Sequence, residues 1–416
     1  MSANITISDV MARFKTTALS LFTFTPQQHK VLRLIEMCRT EKLGSHIEKC
    51  DSCGHKKVHY NSCGNRNCPN CQATKKEKWV LDRSFDLLPV KYFHCVFTVP
   101  AELRTLFKFN KALMYDLLFR CVKETLFEFG YDPRQKMEAK LGFISILHTW
   151  NQQLQFHPHI HCIIPGGGLN KKGEWKTSKG KGNYLFSVKA LSDKFKKKFL
   201  INLVFLYKKK TLKIPPKDTN WNSANAFYKT KSKLYITKWV VYAKEAFGGP
   251  KQVLEYIGRY THRIAISNYR IISMSDTHVT FRYLDRKAKT TATKSIEGEK
   301  FVKLFLQHVL PYRFIKIRHY GFLSSRSKKE DLAQIRKDLN VKAPAPKVKL
   351  SAKEILIAIS GIDPYLCPKC KKGRMFVVEI IPSTRGSPPR DFVKNEMMKS
   401  LENMMKRLGI LDSVDQ

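Results

Sequence analysis

Acidic side chains are scarce in this sequence: 34 Asp and Glu stand against 76 Lys and Arg, leaving a formal net charge of +42. That deficit argues against a cationic partner and favours a polyanion, because so strong a field draws in and concentrates opposite charge. Nucleic acid is the first candidate, and an anionic membrane surface is a distant second. Solubility alone needs far less charge. Long apolar runs are absent too. The stretches Phe199–Tyr207 and Val253–Ile257 fall well short of the ~20 residues of a spanning helix, so no membrane segment is expected. Met1–Phe24 holds scattered polar and charged side chains and no signal-peptide core, which predicts a cytoplasmic, nucleoid-associated protein. No internal repeat is present. Hydrophobic residues are not lacking: at 43% they exclude a disordered basic chain, and 416 residues predict two or three domains.

Cysteine is plentiful, with 11 residues. In a reducing compartment these read as metal ligands and core thiols rather than disulfides. Cys50-x-x-Cys53 and Cys68-x-x-Cys71 are two pairs whose four thiolates are expected to close a tetrahedron around a structural Zn²⁺, in a ribbon over about residues 46–75. Gly54, Asn65, Asn67 and Pro69 supply the tight turns that such knuckles need. Cys63, His46, His55 and His59 are spare donors, so a different ligand or a second ion stays open. Cys367-Pro368-Lys369-Cys370 is half a zinc site, with no Cys or His after it. It either borrows ligands from upstream (His319, or the donors near Cys63) or stays unmetallated.

Periodicity predicts helices over most of residues 1–48, over Lys75–Leu88, Glu102–Phe129, Pro250–Tyr260 and Gly298–His308. Strands are predicted at Tyr92–Val99, Leu141–Trp150, Leu154–Ile164 and Tyr235–Tyr242, with a hairpin of Ile264–Ile272 and His278–Leu284. Pro165-Gly166-Gly167-Gly168 reads as a breaker. Residues 170–235 are lysine-heavy and read either as a flexible, solvated insertion or as a DNA-contacting one. Ala343-Pro344-Ala345-Pro346 reads as a linker to a basic C-terminal region. The expected domains are 1–88, 89–330 and 331–416.

Two further motifs bear on chemistry. In His157-Pro158-His159-Ile160-His161 the three histidines sit two apart, so on a strand they share one face. Such a row is either a grip on a divalent cation or a solvent-facing cluster. In Glu255-Tyr256-Ile257-Gly258-Arg259-Tyr260-Thr261-His262-Arg263, a helix sets Tyr256 and Tyr260 on one face. Paired helical tyrosines ordinarily just pack. As nucleophiles they need a metal and nearby cations, because a phenol with a pKa of ~10 attacks poorly. Arg259, His262 and Arg263 would supply such a field.

The combination resembles a known family. His159-Ile160-His161 fits the His-hydrophobic-His endonuclease superclass, and the chain is similar to the insertion sequence 91 family of rolling-circle transposases. The resembling stretches are Cys38-Arg39-Thr40, Tyr60-Asn61-Ser62-Cys63 with Arg66-Asn67-Cys68-Pro69, and Val96 to Leu103. They continue with Leu147-His148-Thr149-Trp150, His157 to Gly168, Tyr256 to Asn268, His308-Val309-Leu310-Pro311 and Arg318-His319-Tyr320-Gly321. They run in the family's order over roughly residues 20–330. The resemblance implies a catalytic Mg²⁺ or Mn²⁺ on His159 and His161, paired nucleophiles Tyr256 and Tyr260, and a zinc-binding domain over residues 38–75. It also implies single-stranded DNA at transposon ends as the partner. His157, with Gln155 behind it, is the first candidate for the third metal ligand. One departure is Tyr312-Arg313, where family members often carry glycine.

The expected fold class is α+β: a central antiparallel sheet with helices on one face, the histidines on a middle strand, a small N-terminal zinc-binding domain and a basic C-terminal tail. Competing readings are a relaxase or replication initiator, a non-catalytic zinc-ribbon nucleic-acid-binding protein, and a hydrolase that cuts without a covalent link.

Overall fold

Capping chemistry starts the chain. Thr6 with Asp9, and Thr25 with Gln28, close reciprocal capping boxes at the head of helices α1 (Ile7–Leu21) and α2 (Pro26–Glu36). The computed structural model describes residues 5–135, 137–179, 185–245, 252–253, 258, 264–285, 288–344, 354–355, 357 and 361–383. The helical stretch expected up to residue 48 ends sooner, because Ser45–Cys50 forms strand β1 against β2 (Lys56–Tyr60). Helix α3 (Pro69–Ser84) begins on a proline, whose missing N–H costs nothing at that position. Strand β3 (Tyr92–Thr98) follows, then helices α4 (Arg104–Phe109) and α5 (Lys111–Tyr131), with Asn110 breaking the single helix the periodicity suggests.

Next come β4 (Lys140–Leu141), β5 (Phe143–Trp150), β6 (Phe156–Pro165), β7 (Gly167–Leu169) and β8 (Trp175–Thr177). The Pro-Gly-Gly-Gly stretch is therefore not a clean stop: the chain passes straight into the small β4-β7-β8 sheet. Helices α6 (Val188–Lys208) and α7 (Ala224–Ile236) lead to β9 (Val241–Glu245). Strands β10 (Ile271–Met274), β11 (His278–Asp285) and β12 (Thr290–Glu297) make a three-stranded meander where a two-stranded hairpin is expected. Helix α8 (Gly298–Leu306), β13 (Ile317–Tyr320), α9 (Lys328–Asp338) and β14 (Met375–Ile381) complete the elements. No helix among the described residues is long and apolar enough to cross a membrane.

The central sheet has the order β13-β5-β6-β3-β9, with every neighbouring pair antiparallel and β6 in the middle. The fold is α+β, as expected. Strand alternation gives the sheet two faces. Phe93, Cys95, Phe97, Ile160, Cys162 and Ile164 enter the main core with residues of α4 to α7. Burying one large aliphatic or aromatic side chain there contributes roughly 1.5–3 kcal/mol.

The lysine-rich stretch contributes to this core through α6 and α7. Helix α6 buries Leu191, Phe195, Phe199 and Leu203 on one stripe, and Phe195 and Phe199 meet Trp239 at 5.4 and 5.3 Å between ring centroids. Its lysines face outward, and Lys198 pairs with Glu128 of α5 at 2.8 Å. On the other face, Tyr92, Ile144, Ile146 and Ile163 pack with Phe322, Leu332 and Val253. A separate cluster unites α1 and α2 with α8, the meander and three cysteines of the N-terminal region.

Candidate active site

The second sheet face carries histidines where its apolar layer ends. Antiparallel pairing sets His148 of β5 directly opposite His159 of β6. Residues so opposed have Cβ atoms about 4.5–5.5 Å apart, closer than same-face neighbours along one strand. Ring nitrogens of His148, His159 and His161 all lie within 4.8 Å of one another. His148 and His161 are buried, and His159 is partly open.

The expected third ligand, His157, is not in this group. Between His148 and Trp150 the β5–β6 register slips, giving β6 one extra residue beside His157 and Pro158. Such a bulge breaks the alternation. His157 lines the same cavity, and its carbonyl accepts a 2.7 Å bond from Nδ1 of His159. Gln155 is engaged in the turn, its Oε1 accepting from Asn151 at 2.7 Å.

Hydrogen bonding sets which nitrogens are available. A carbonyl only accepts, so His159 holds its proton on Nδ1 and presents the Nε2 lone pair. His94 on β3 sits 2.8 Å from His161, Nε2 to Nδ1, with the rings stacked at 5.0 Å. Burial pulls the His94 pKa down to about 4, so it is neutral at physiological pH. In the tautomer in which His161 Nδ1–H donates to His94 Nε2, the Nε2 lone pair of His161 is left for a ligand. Three grouped imidazoles, two of them oriented through their second nitrogens, are the donor set of a divalent transition-metal site.

These rings open on a cavity of about 800 Å³ that also takes in Trp150, Tyr242, Arg270, Tyr283 and Asp285. It lies between the central sheet and the meander. Arg270 is buried and donates to the carbonyls of Arg282 (2.8 Å) and Gln152 (2.5 Å), tying the β5–β6 turn to β11. His308 fastens the other side of that turn. Its Nε2 donates to the Leu154 carbonyl at 3.0 Å and its Nδ1 accepts from the Thr149 hydroxyl at 3.1 Å.

Tyr256, Arg259, Tyr260 and His262 lie outside the described residues. Tyr242 lines the cavity, Val253 is buried in the apolar layer beneath it, and Ala265 and Ile266 are buried in the α1/α8 cluster. A side chain at Gly258 would come within 2.3 Å of Val80 on α3, so backbone and helix meet closely there.

The thiols divide differently from the expected quartet. Cys68 and Cys71 join Cys38 and Cys63, whereas Cys50 and Cys53 join Cys367 and Cys370. The cause is strand pairing: Cys50 ends β1 opposite Met375 of β14, which carries the distant C-x-x-C alongside, while Cys68 heads α3 against the end of α2. In the first quartet Sγ of Cys71 is 3.5 Å from Cys38 and 3.6 Å from Cys63. Four sulfurs at ~2.3 Å from zinc stand about 3.8 Å apart in a tetrahedron, whereas a disulfide needs ~2.05 Å. The spacing fits zinc.

Residues 7–99 match the family described as "Transposase zinc-binding domain", and residues 142–331 match the family described as "Putative transposase". A Sinorhizobium fredii (strain NBRC 101917 / NGR234) protein named "Putative transposase y4qJ" is 40% identical over 390 residues, 92% of this chain and 97% of that one. The chain belongs to the insertion sequence 91 family of transposases. This transposase is also similar to the "Transposase for insertion sequence element IS801" of Pseudomonas savastanoi pv. phaseolicola, at 26% identity over 347 residues, 82% of each chain. The zinc-binding region of the transposase contains the first thiol quartet, and the stretch matching "Putative transposase" carries all three grouped histidines.

Proposed function

We propose that this transposase cuts and rejoins single-stranded DNA at transposon ends, through 5′-phosphotyrosine links on Tyr256 and Tyr260, in rolling-circle transposition. The observation that supports this most is the three-histidine group on the sheet face whose apolar layer holds Val253, three residues before Tyr256. A divalent cation held by His148, His159 and His161 would offset the charge that gathers on the scissile phosphate. Imidazole donors suit Mn²⁺ better than Mg²⁺, which prefers oxygen ligands. His94 and the His157 carbonyl orient two of the three rings.

The phenol oxygen of one tyrosine bonds to phosphorus while the bond from phosphorus to the 3′ oxygen breaks. The phenolic proton ends on the departing 3′ hydroxyl. One phosphate ester replaces another, so the reverse step rejoins DNA without a nucleotide cofactor. Arg259, joined by His262 when that imidazole is protonated, would favour the phenolate by charge. A second tyrosine lets one cut end be kept while another is made. Lysines and arginines bind backbone phosphates, giving affinity that weakens with salt.

The test is incubation with single-stranded terminus oligonucleotides and either metal. The expected product is protein joined to the 5′ phosphate of the fragment on the 3′ side of the cut, formed at lower concentrations of Mn²⁺ than of Mg²⁺. Tyr256→Phe with Tyr260→Phe should abolish it. An adduct that persists in the double variant sinks the nucleophile assignment, and cut DNA free of protein points to hydrolysis instead.

A further inference from the structure

Cys367 and Cys370 lie beyond the matched zinc-binding region, yet they close a quartet with Cys50 and Cys53. Sγ of Cys50 is 3.7 Å from Cys370, and Sγ of Cys53 is 3.7 Å from Cys367. Both separations fit the edge of about 3.8 Å expected for four thiolates on one zinc and are far too long for disulfides.

The two halves are copies of one turn. Gly54 N–H donates to the Cys50 carbonyl at 3.2 Å, and Lys371 N–H donates to the Cys367 carbonyl at 3.0 Å. Gly54 and Lys371 each take a left-handed φ, +69° and +56°. A strand leaves each turn, β2 from the first and β14 from the second, and both pair with β1. At Gly373 a Cβ would lie 2.5 Å from Cys50 Sγ, so only glycine lets the second turn close on the first. Gly373 N–H also donates to Cys370 Sγ at 3.3 Å, a bond that favours thiolate over thiol.

Among the described residues the module has almost no core. Its apolar cluster consists of Cys50, Cys367 and Met375, with Cys370 beside them. So little buried surface does not hold a three-stranded sheet together, and a small domain in that position draws its folding energy from metal. We propose that Cys50, Cys53, Cys367 and Cys370 bind a second structural Zn²⁺ that fastens the C-terminal strand β14 to the N-terminal sheet. The site is independent of the DNA chemistry proposed above. It makes residues 361–383 part of the N-terminal zinc module, although Cys53 and Cys367 stand 314 positions apart in the chain.

Metal analysis of the full-length chain, purified without chelator, is expected to find two Zn²⁺ per molecule. Cys367→Ser with Cys370→Ser should lower this to one, and Cys63→Ser should remove the other ion instead. A readout on the unaltered protein guards against variants that fail to fold. Alkylation followed by mass spectrometry should label Cys367 and Cys370 only after chelation, with Cys50 and Cys53 becoming reactive in the same step. One zinc per chain, or equal labelling of Cys367 and Cys370 with and without chelator, overturns the proposal.

Discussion

His148 and His157 show how much one side chain's position depends on its partner strand. Both lie on the cavity, but only His148 offers a ring nitrogen to the group formed by His159 and His161. The His-x-His-x-His row invites the reading that its three members act alike. Within one strand the spacing is fixed at two residues, and the bulge at Pro158 spoils even that, whereas the antiparallel neighbour delivers His148 at the closest approach a sheet allows. The turn at Asn151-Gln152-Gln153 was visible in the sequence; counting back across it from His159 would have pointed to β5 for the missing ligand. His148→Ala should therefore lower adduct formation by more than ~10²-fold, beyond the roughly 10–100-fold lost when only the partner that orients a ligand is removed. His157→Ala should cost under ~10-fold, since its carbonyl remains to hold His159. Comparable rates for the two variants would remove His148 from the site, and unchanged binding of the oligonucleotide would locate the defect in chemistry.

Among elements, the connection from α8 to β13 carries a visible local cost. Arg313 sits at φ +55°, in the left-handed region that favours glycine. A side chain there costs about 1–2 kcal/mol, against about 0.5–1 kcal/mol of extra backbone entropy lost by glycine on folding. Arg313→Gly should thus raise stability by about 0.5–1 kcal/mol, read as a higher urea midpoint with unchanged slope. A lower midpoint would mean that the contact of Arg313 with the Tyr312 ring, 5.1 Å away, outweighs the strain. The long elements were legible because their periodicity is strong: the Thr25 cap, β3 with its stop at Pro100, and the β5–β6 pair lie where pattern places them. Helix α6 was hidden by its lysines, although the stripe Leu191, Phe195, Phe199, Leu203 was present beneath them. Strand β12 was hard to read because its half-buried face is Ala292, Lys294 and Ile296, where a lysine interrupts the apolar alternation. The thiol grouping was beyond spacing rules altogether, because β14 comes to β1 from the far end of the chain.

At the scale of the whole molecule, buried imidazoles tie folding to pH. Burial lowers the His308 pKa to about 3 and that of His319 to about 4, so both are neutral in the native state. In the unfolded chain they titrate near 6.5. Below that value the unfolded state binds more protons, so stability should fall as pH drops from about 6.5 and level off near 3 to 4. Denaturant midpoints measured from pH 7.5 to 4.5 should show this slope, and His308→Gln should flatten part of it, which separates the effect from protonation of thiolates. A stability unaffected by acidification over that interval would refute the assignment. The cluster in which α1 packs on α8 has a consequence for biosynthesis. At ~5–20 residues per second, the ribosome needs roughly 15–55 s to travel from Leu21 to Gly298. Throughout that time α1 has α2 beside it but lacks α8, the side of the cluster that Phe14 meets at Gly298, and a chain that terminates early never acquires it. Stalled nascent chains ending before residue 298 should be cleaved by protease within α1, while released full-length chains resist, so that a prematurely ended product is destroyed before it meets a genome.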